Sequence, residues 1–296
     1  MKSSDFKFTT PVNMPKKRLE LPFDSVVTGS GSCFAEDMLE RLFSLGIKGL
    51  TNPCGTIYNA VSICNHFERA AENRCYTAGD FFEFNGRWNG WEHHGSFSRP
   101  SLDDALEAAN SKLQEFRELL KKSNLCVITP SSSVVYEHLP EKKLVANCHK
   151  VPGKEFSRRL LKYEENLDAL RRIVKSVKAL NPDCAIVFTV SPVRHYPGEL
   201  TLNTLSKSLI FSTLNSILEE FPEIIYFPSY EIVLDELRDY RFYNEDMLHP
   251  NDFARKIIFS RFTETFFSSD ALKEMEKTES TLKLANHRQM GKSPWA

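Results

Sequence analysis

The sequence lacks any run of apolar residues long enough to cross a membrane; no window approaches the ~18 consecutive apolar positions that a span needs. It has no C-x-x-C pair, no internal repeat and no low-complexity stretch. It also lacks an excess of either charge: 38 basic side chains stand against 39 acidic ones, a formal net charge of −1. Neither nucleic acid nor an anionic membrane surface is therefore an expected partner. The opening residues, MKSSDFKFTTPVNMPKKRLELPF, hold no apolar stretch of secretion-signal type. Seven cysteines, at 33, 54, 64, 75, 126, 148 and 184, are an odd number. In a chain without a secretion signal they read as reduced thiols packing as small hydrophobes, and a cytoplasmic location is the expectation.

What is present is an ordinary globular composition, 41% apolar and 26% charged, over 296 residues, enough to bury a full core without staples. The 22 phenylalanines point to a Phe-rich core. Strand and helix signals alternate. DSVV (24–27) is a short strand candidate, and a second lies within 47–59. Apolar runs open the stretches at 124–136, 184–193 and 223–229 and read as strands buried on both faces. Helical spacing marks 34–46, 57–72, 102–122, 155–181 and 201–221, with a further helix after Pro250. The alternation predicts an α/β protein with a mostly parallel sheet covered on both faces. Residues 77–99 depart from the pattern, with six aromatics around two Asn-Gly pairs, and read as a hairpin-like insertion. Residues 1–268 are expected to form one domain, and 269–296 a polar helix or tail.

In parallel sheets reactive groups collect in the loops after the strand ends. Four such ends here carry Gly31-Ser32-Cys33, Asn52-Pro53-Cys54-Gly55-Thr56, Thr129-Pro130-Ser131-Ser132-Ser133 and Ser191-Pro192-Val193-Arg194-His195. Late in the chain stands Asp246-Met247-Leu248-His249-Pro250. Acyl transfer needs an attacking hydroxyl or thiol, a base, and donors for the oxyanion. A serine where a strand meets a helix N-terminus sits beside outward amides and the positive end of the helix. An aspartate three residues before a histidine can orient the imidazole. Each motif has a plainer reading: a structural Gly-Ser turn, and Asp246 as a helix cap. Ser32 first and Asp246 with His249 last make them a pattern.

These stretches resemble the GSCFA family, a branch of the SGNH (GDSL-like) hydrolases. The resemblance rests on Gly31-Ser32-Cys33-Phe34-Ala35, NPCGTIYNAVSI (52–63), HHGSFS (93–98), VANCHKVP (145–152), TVSPVRH (189–195) and YFPSYEIVLDELRDYRFYNEDMLHP (226–250). It implies a flavodoxin-like three-layer α/β/α sandwich and an acyl-ester hydrolase with Ser32 as nucleophile, His249 as base and Asp246 as its orienting partner. Cys33 is the alternative nucleophile, because aligning glycine with glycine places it, not Ser32, at the reactive position. Gly55 matches the superfamily's oxyanion glycine. The superfamily's Gly-x-Asn-Asp block is missing; Ser131, Ser132 or Asn59 stand as substitutes for its asparagine.

His195 and Arg194 point to the same rim as substrate-binding candidates, beside the plainer reading that they cap strand-end carbonyls. Neighbouring His93 and His94 diverge on a strand and have no third ligand at matching spacing, so no metal is expected. The GSGS turn lacks the G-x-G-x-x-G spacing and the lysine of a P-loop. The expected substrate is a small ester or an acylated carbohydrate, with no cofactor. The alternatives are a binding module on the same fold, or an acyltransferase or thioesterase working through Cys33.

Overall fold

A computed structural model describes residues 9–16, 19–196 and 198–290, with only the backbone over 285–290. In chain order the first half runs β1 (Val26–Gly31), α1 (Cys33–Ser44), β2 (Lys48–Thr51), α2 (Ala60–Glu72), β3 (Phe81–Phe84), β4 (Arg87–Gly90), α3 (Leu102–Leu120) and β5 (Leu125–Thr129). The second half runs β6 (Val134–His138), β7 (Lys143–Val145), β8 (Phe156–Leu160), α4 (Tyr163–Leu180), β9 (Ala185–Phe188) and α5 (Leu200–Glu220). It ends with β10 (Ile225–Tyr226), α6 (Ser229–Glu231), α7 (Asp252–Phe266) and α8 (Ser269–Met290). Among the described residues no helix is long and apolar enough to cross a membrane.

The central sheet has the order β10-β9-β5-β1-β2. All four of its pairings are parallel. Counted along this sheet alone, the order is 2-1-3-4-5, the doubly wound arrangement whose ligands bind where the winding reverses, here between β1 and β5. Alternation along each strand builds two cores. Leu125, Val127, Val187 and Ile225 pack on one face with α1, α7 and the start of α8. Cys126, Ile128, Ile186 and Phe188 pack on the other face with α2, α3, α4 and α5. The three layers follow from strands that are apolar on both faces, as their continuous runs require.

One expected helix is not continuous. Residues 155–181 divide into β8 and α4. Phe156, Arg158 and Leu160 pair opposite His138, Tyr136 and Val134, so this stretch has a strand period and completes the antiparallel sheet β7-β6-β8. The helix starts only at Tyr163, where Glu165 accepts the Lys162 N–H at 2.7 Å.

The aromatic insertion contains the expected hairpin, β3 with β4. Asn85 and Gly86 both have positive φ, 54° and 71°, as its tight turn requires. The second Asn-Gly pair does not turn: Asn89 and Gly90 end β4. A Cβ on Gly90 would lie 2.6 Å from the His93 ring, so this glycine lets the imidazole pack against the backbone. At the other end of the chain α8 continues the polar tail as a helix to Met290; residues 291–296 lie outside the described residues.

Candidate active site

The end of β1 is pinned on every side. Gly31 has φ +148°, and a Cβ there would fall 2.2 Å from the Thr129 carbonyl oxygen, so only glycine lets β1 and β5 approach this closely. The Gly31 N–H donates to Asn52 Oδ1 at 2.8 Å, and the Ile57 N–H donates to the Gly31 carbonyl at 2.9 Å. The Ser32 N–H donates to the Thr129 carbonyl at 3.2 Å. Next door, the N–H groups of Ser131 and Ser132 converge on the Tyr58 carbonyl at 2.8 and 3.0 Å. The winding reversal is thus a rigid platform from which α1 departs.

Cys33 is the first residue of α1. Its Sγ lies 3.9 Å from His249 Nε2. The other nitrogen of that ring, Nδ1, lies 2.6 Å from Asp246 Oδ2. Asp246 Oδ1 accepts the N–H groups of Leu248 and His249 at 2.9 and 3.0 Å. Those two amide bonds, then the imidazole, hold the Asp246 carboxyl down at about 2. An ionised Asp246 fixes the His249 proton on Nδ1 and leaves the Nε2 lone pair facing the thiol. The loop is itself tied down: the Asn244 N–H donates to the His249 carbonyl at 2.8 Å, and Tyr243 bridges Pro250. Two ends of the chain, 216 residues apart, therefore meet as a thiol–imidazole–carboxylate line.

Ser32 takes no part in this line. It is fully buried, and among the described residues its Oγ has no hydrogen-bond partner. It caps α1 without side-chain help. The reason is registry: the turn glycine holds Ser32 in extended geometry with its side chain inward, and the next residue is the one that emerges at the helix start. The expected pairing of Ser32 with His249 is thus replaced by Cys33 with His249.

Burial pushes the Cys33 thiol up, and Glu36 and Asp37 add to the rise, while the amides of Phe34 and Cys33 pull it down. The group rests as a thiol at neutral pH. The same two amides face the sulfur and carry the positive end of α1, so the space beside Sγ is already lined with donors for negative charge. The pocket over the sulfur has a volume of about 400 Å³ and is walled by Phe34, Val193, Asn244, His249 and Arg255. Glu36 in its wall accepts from Thr56 Oγ1 at 2.6 Å, and Asp37 pairs with Arg255 at 2.9 Å. A larger cavity of about 870 Å³ lies between residues 9–11 and 235–242 and includes none of these groups.

The other expected residues divide. The Gly55 N–H closes a turn onto the Asn52 carbonyl at 2.8 Å and is not open to an oxyanion. Gly55 has φ +77°, and its missing Cβ makes room for His94, 2.4 Å away. Asn59 caps α2, its Oδ1 accepting the Ser62 N–H at 2.9 Å. Ser132 Oγ accepts the Val134 N–H at 3.0 Å. Ser131 is fully buried and shares a short hydrogen bond with His195 Nε2. Burial lowers the His195 imidazole to about 3, so it stands neutral, edge-on to Tyr58. Arg194 reaches a neighbouring pocket with Arg238, Tyr240 and Tyr243. His93 is buried among Tyr76, Phe81 and Phe97, and among the described residues no group of three or more His, Cys, Asp or Glu could hold a metal.

Two residues near this rim escaped the sequence reading. Lys207 is buried on α5, donates to the Ser191 carbonyl at 2.6 Å, and is lowered to about 7 by burial. The available signal was a lysine three and seven residues before Ile210 and Leu214, on the apolar stripe of its helix. Arg238 carried no such signal.

No curated protein matches the chain. Among solved structures it is similar to a candidate acylhydrolase of Bacteroides fragilis (9% identity, 88% of this chain and 92% of that one, TM-score 0.44). It is also similar to a GDSL-like lipase of Bacteroides thetaiotaomicron (10% identity, 81% and 86% covered, TM-score 0.42). A third is a family two carbohydrate esterase of Clostridium thermocellum, solved with cellohexaose (12% identity, 82% of this chain and 64% of that one, TM-score 0.40). The GSCFA family model matches residues 26–262, which take in the Gly31–Ala35 turn, the Asp246–His249 loop and the whole central sheet, and the chain belongs to the GSCFA family.

Proposed function

We propose that the protein transfers acyl groups from esters through Cys33, as an ester hydrolase or an acyltransferase. The observation that carries this reading is the line from Cys33 Sγ to His249 Nε2 (3.9 Å) and from His249 Nδ1 to Asp246 (2.6 Å). In the first step the sulfur attacks the ester carbonyl while His249 Nε2 takes the thiol proton. The carbonyl oxygen becomes an oxyanion next to the Cys33 and Phe34 amides. As the tetrahedral intermediate collapses, the C–O bond breaks and His249 returns the proton to the leaving alcohol. A thioester on Cys33 remains. Water, or a second alcohol, amine or thiol, then attacks it with His249 again as base. Asp246 keeps the tautomer and stabilises the imidazolium.

A thiol held protonated at rest suits this order, because the proton leaves only as the new bond forms. The Gly55 amide is spent in a turn, so the oxyanion rests on helix-end amides, and a fast hydrolase is not what this geometry favours. A thioester that waits for an acceptor fits it better. The substrate in this proposal is a small ester or an acylated sugar, and the compartment is the cytoplasm, which seven unpaired thiols support.

The test is intact-protein mass spectrometry after mixing with p-nitrophenyl acetate. The expected result is one added acetyl group on Cys33, absent in Cys33→Ala and retained in Ser32→Ala. An adduct that survives Cys33→Ala and disappears in Ser32→Ala returns the reaction to the serine. No adduct and no nitrophenol release in any form overturns the enzyme and leaves a binding module.

A further inference from the structure

Beside the Cys33 pocket lies a second one of about 180 Å³, whose lining includes Arg194, Arg238, Asp239, Tyr240, Tyr243 and Met247. The two are neighbours along three separate stretches of chain. Val193 lines the first pocket and Arg194 the second; Asn244 lines the first and Tyr243 the second; His249 lines the first and Met247 the second. Arg194 is also held from its other side, because His195 bonds to Ser131 and its N–H donates to Asn203 Oδ1 at 3.0 Å.

The charges in this second pocket do not cancel. Its one carboxylate, Asp239, is turned to Arg241, accepting both its N–H and its guanidinium at 2.9 Å. The carboxylates of the first pocket are likewise engaged, Glu36 with Thr56 and Asp37 with Arg255. The side chains of Arg194 and Arg238 make no hydrogen bond or ion pair among the described residues. Arg194 is half-buried, with the hydroxyls of Tyr230 and Tyr243 in its field. Arg238 is exposed, so its guanidinium is free to turn toward the pocket that half-buried Arg194 lines, and two guanidiniums match a phosphate's charge and several oxygens better than a carboxylate's.

We infer that Arg194 and Arg238 form an anion subsite next to Cys33, and that the acyl donor or acceptor carries a phosphate group. The inference rests on the acyl-transfer reading for its use, and adds to it the chemical class of the substrate. The reacting carbonyl sits over Cys33, the phosphate lies across the Asp246–His249 loop between the two arginines, and the tyrosines wall the side.

Charge-matched alkylation tests this without turnover. Iodoacetate and iodoacetamide differ in charge and little in size, and the ratio of their rates at one cysteine cancels that cysteine's thiolate fraction. Cys75 is exposed and serves as the reference in the same molecule. The ratio at Cys33 is expected to exceed that at Cys75 by ~10-fold or more, within the range of electrostatic focusing in clefts. Arg194→Gln and Arg238→Gln should each pull the ratio toward that of Cys75, while Arg194→Lys retains part of it. Millimolar inorganic phosphate should slow iodoacetate at Cys33 and spare iodoacetamide; acetate at equal ionic strength should do neither.

Equal ratios at the two cysteines, or an excess at Cys33 that survives both glutamine variants, overturn the subsite. Competition by acetate as strong as by phosphate overturns the phosphate assignment. Because no acyl transfer is measured, failure of the anion subsite and failure of the Cys33 chemistry register in different experiments.

Discussion

Two regions of the chain use histidine in opposite ways. His249 stands in an exposed loop, with its Nδ1 bonded to Asp246 and its Nε2 turned to a thiol. His66, on α2, and His93, in the aromatic insertion, are buried, and among the described residues neither ring nitrogen of either is bonded. Burial lowers both to about 3. An imidazole stripped of water and partners stays neutral and behaves as an aromatic ring, here against Phe67 and Phe116 for His66. An imidazole given one carboxylate at Nδ1 keeps one tautomer, with Nε2 turned to the thiol. The difference lies in the second nitrogen, and it separates a packing histidine from a reacting one.

The sharpest way to break that contrast is to remove the reacting member. His249→Ala is expected to slow acetylation of Cys33 by p-nitrophenyl acetate ~10³-fold or more, with the unfolding midpoint almost unchanged, because the ring is half-exposed. Loss of stability in place of reactivity would make His249 a structural residue like His66. Asp246→Asn keeps the shape and removes the charge that sets the tautomer. It should cost ~10²–10³-fold in the same assay, with the loss in the maximal rate more than in apparent affinity. An unaffected rate would mean that the 2.6 Å bond orients nothing.

The packing member is tested by pH. Unfolded, His66 takes a proton near 6.5; folded, it does so only near 3. Between those values the unfolded chain binds more protons, so stability falls as pH drops from 6.5 toward 3 and is untouched by this group above 6.5. The slope from one such group is at most ~1.4 kcal/mol per pH unit. His66→Phe should remove one group's share of the slope from denaturant unfolding curves taken between about pH 4 and 6, leave the shares of His93 and His195, and leave Cys33 acetylation as it was. A slope unchanged in His66→Phe but reduced in His93→Phe would assign the acid sensitivity to the insertion and not to α2.

The fold was legible because its strands are apolar on both faces and its helices are not: Leu125–Thr129 and Ala185–Phe188 admit one reading, and the Asn85-Gly86 turn another. What period could not resolve was Phe156–Leu160, where two arginines and a serine between two apolar residues fit a helix end as well as an edge strand; only its pairing with Val134–His138 decides. The site was half legible. The meeting of the Gly31–Cys33 turn with the Asp246–His249 loop follows from strand ends in a parallel sheet. The choice between Ser32 and Cys33 does not, because adjacent residues at a strand-to-helix junction face opposite ways, and which one emerges is set by the φ of Gly31. Gly55 was misread for a related reason: a glycine's N–H and its missing Cβ leave the same mark in a sequence.

That last ambiguity gives the smallest expected effect, at the seam between the two histidine regions. Gly55 belongs to the loop that follows β2, and His94 to the insertion; the His94 N–H donates to the Cys54 carbonyl at 2.8 Å. In Gly55→Ala the N–H survives, but the new methyl meets His94 Cβ at 2.4 Å on a backbone with φ +77°. The cost should be ~1–3 kcal/mol in denaturant unfolding, from strain and a displaced neighbour. Acetylation of Cys33 should stay within about twofold of the parent below the unfolding transition, because the Gly55 amide is committed to Asn52 and helps no oxyanion. A rate that collapses in a fully folded Gly55→Ala would show that the 52–57 loop carries the oxyanion contact after all, and that the insertion supports the reacting histidine's side of the molecule as well as its own.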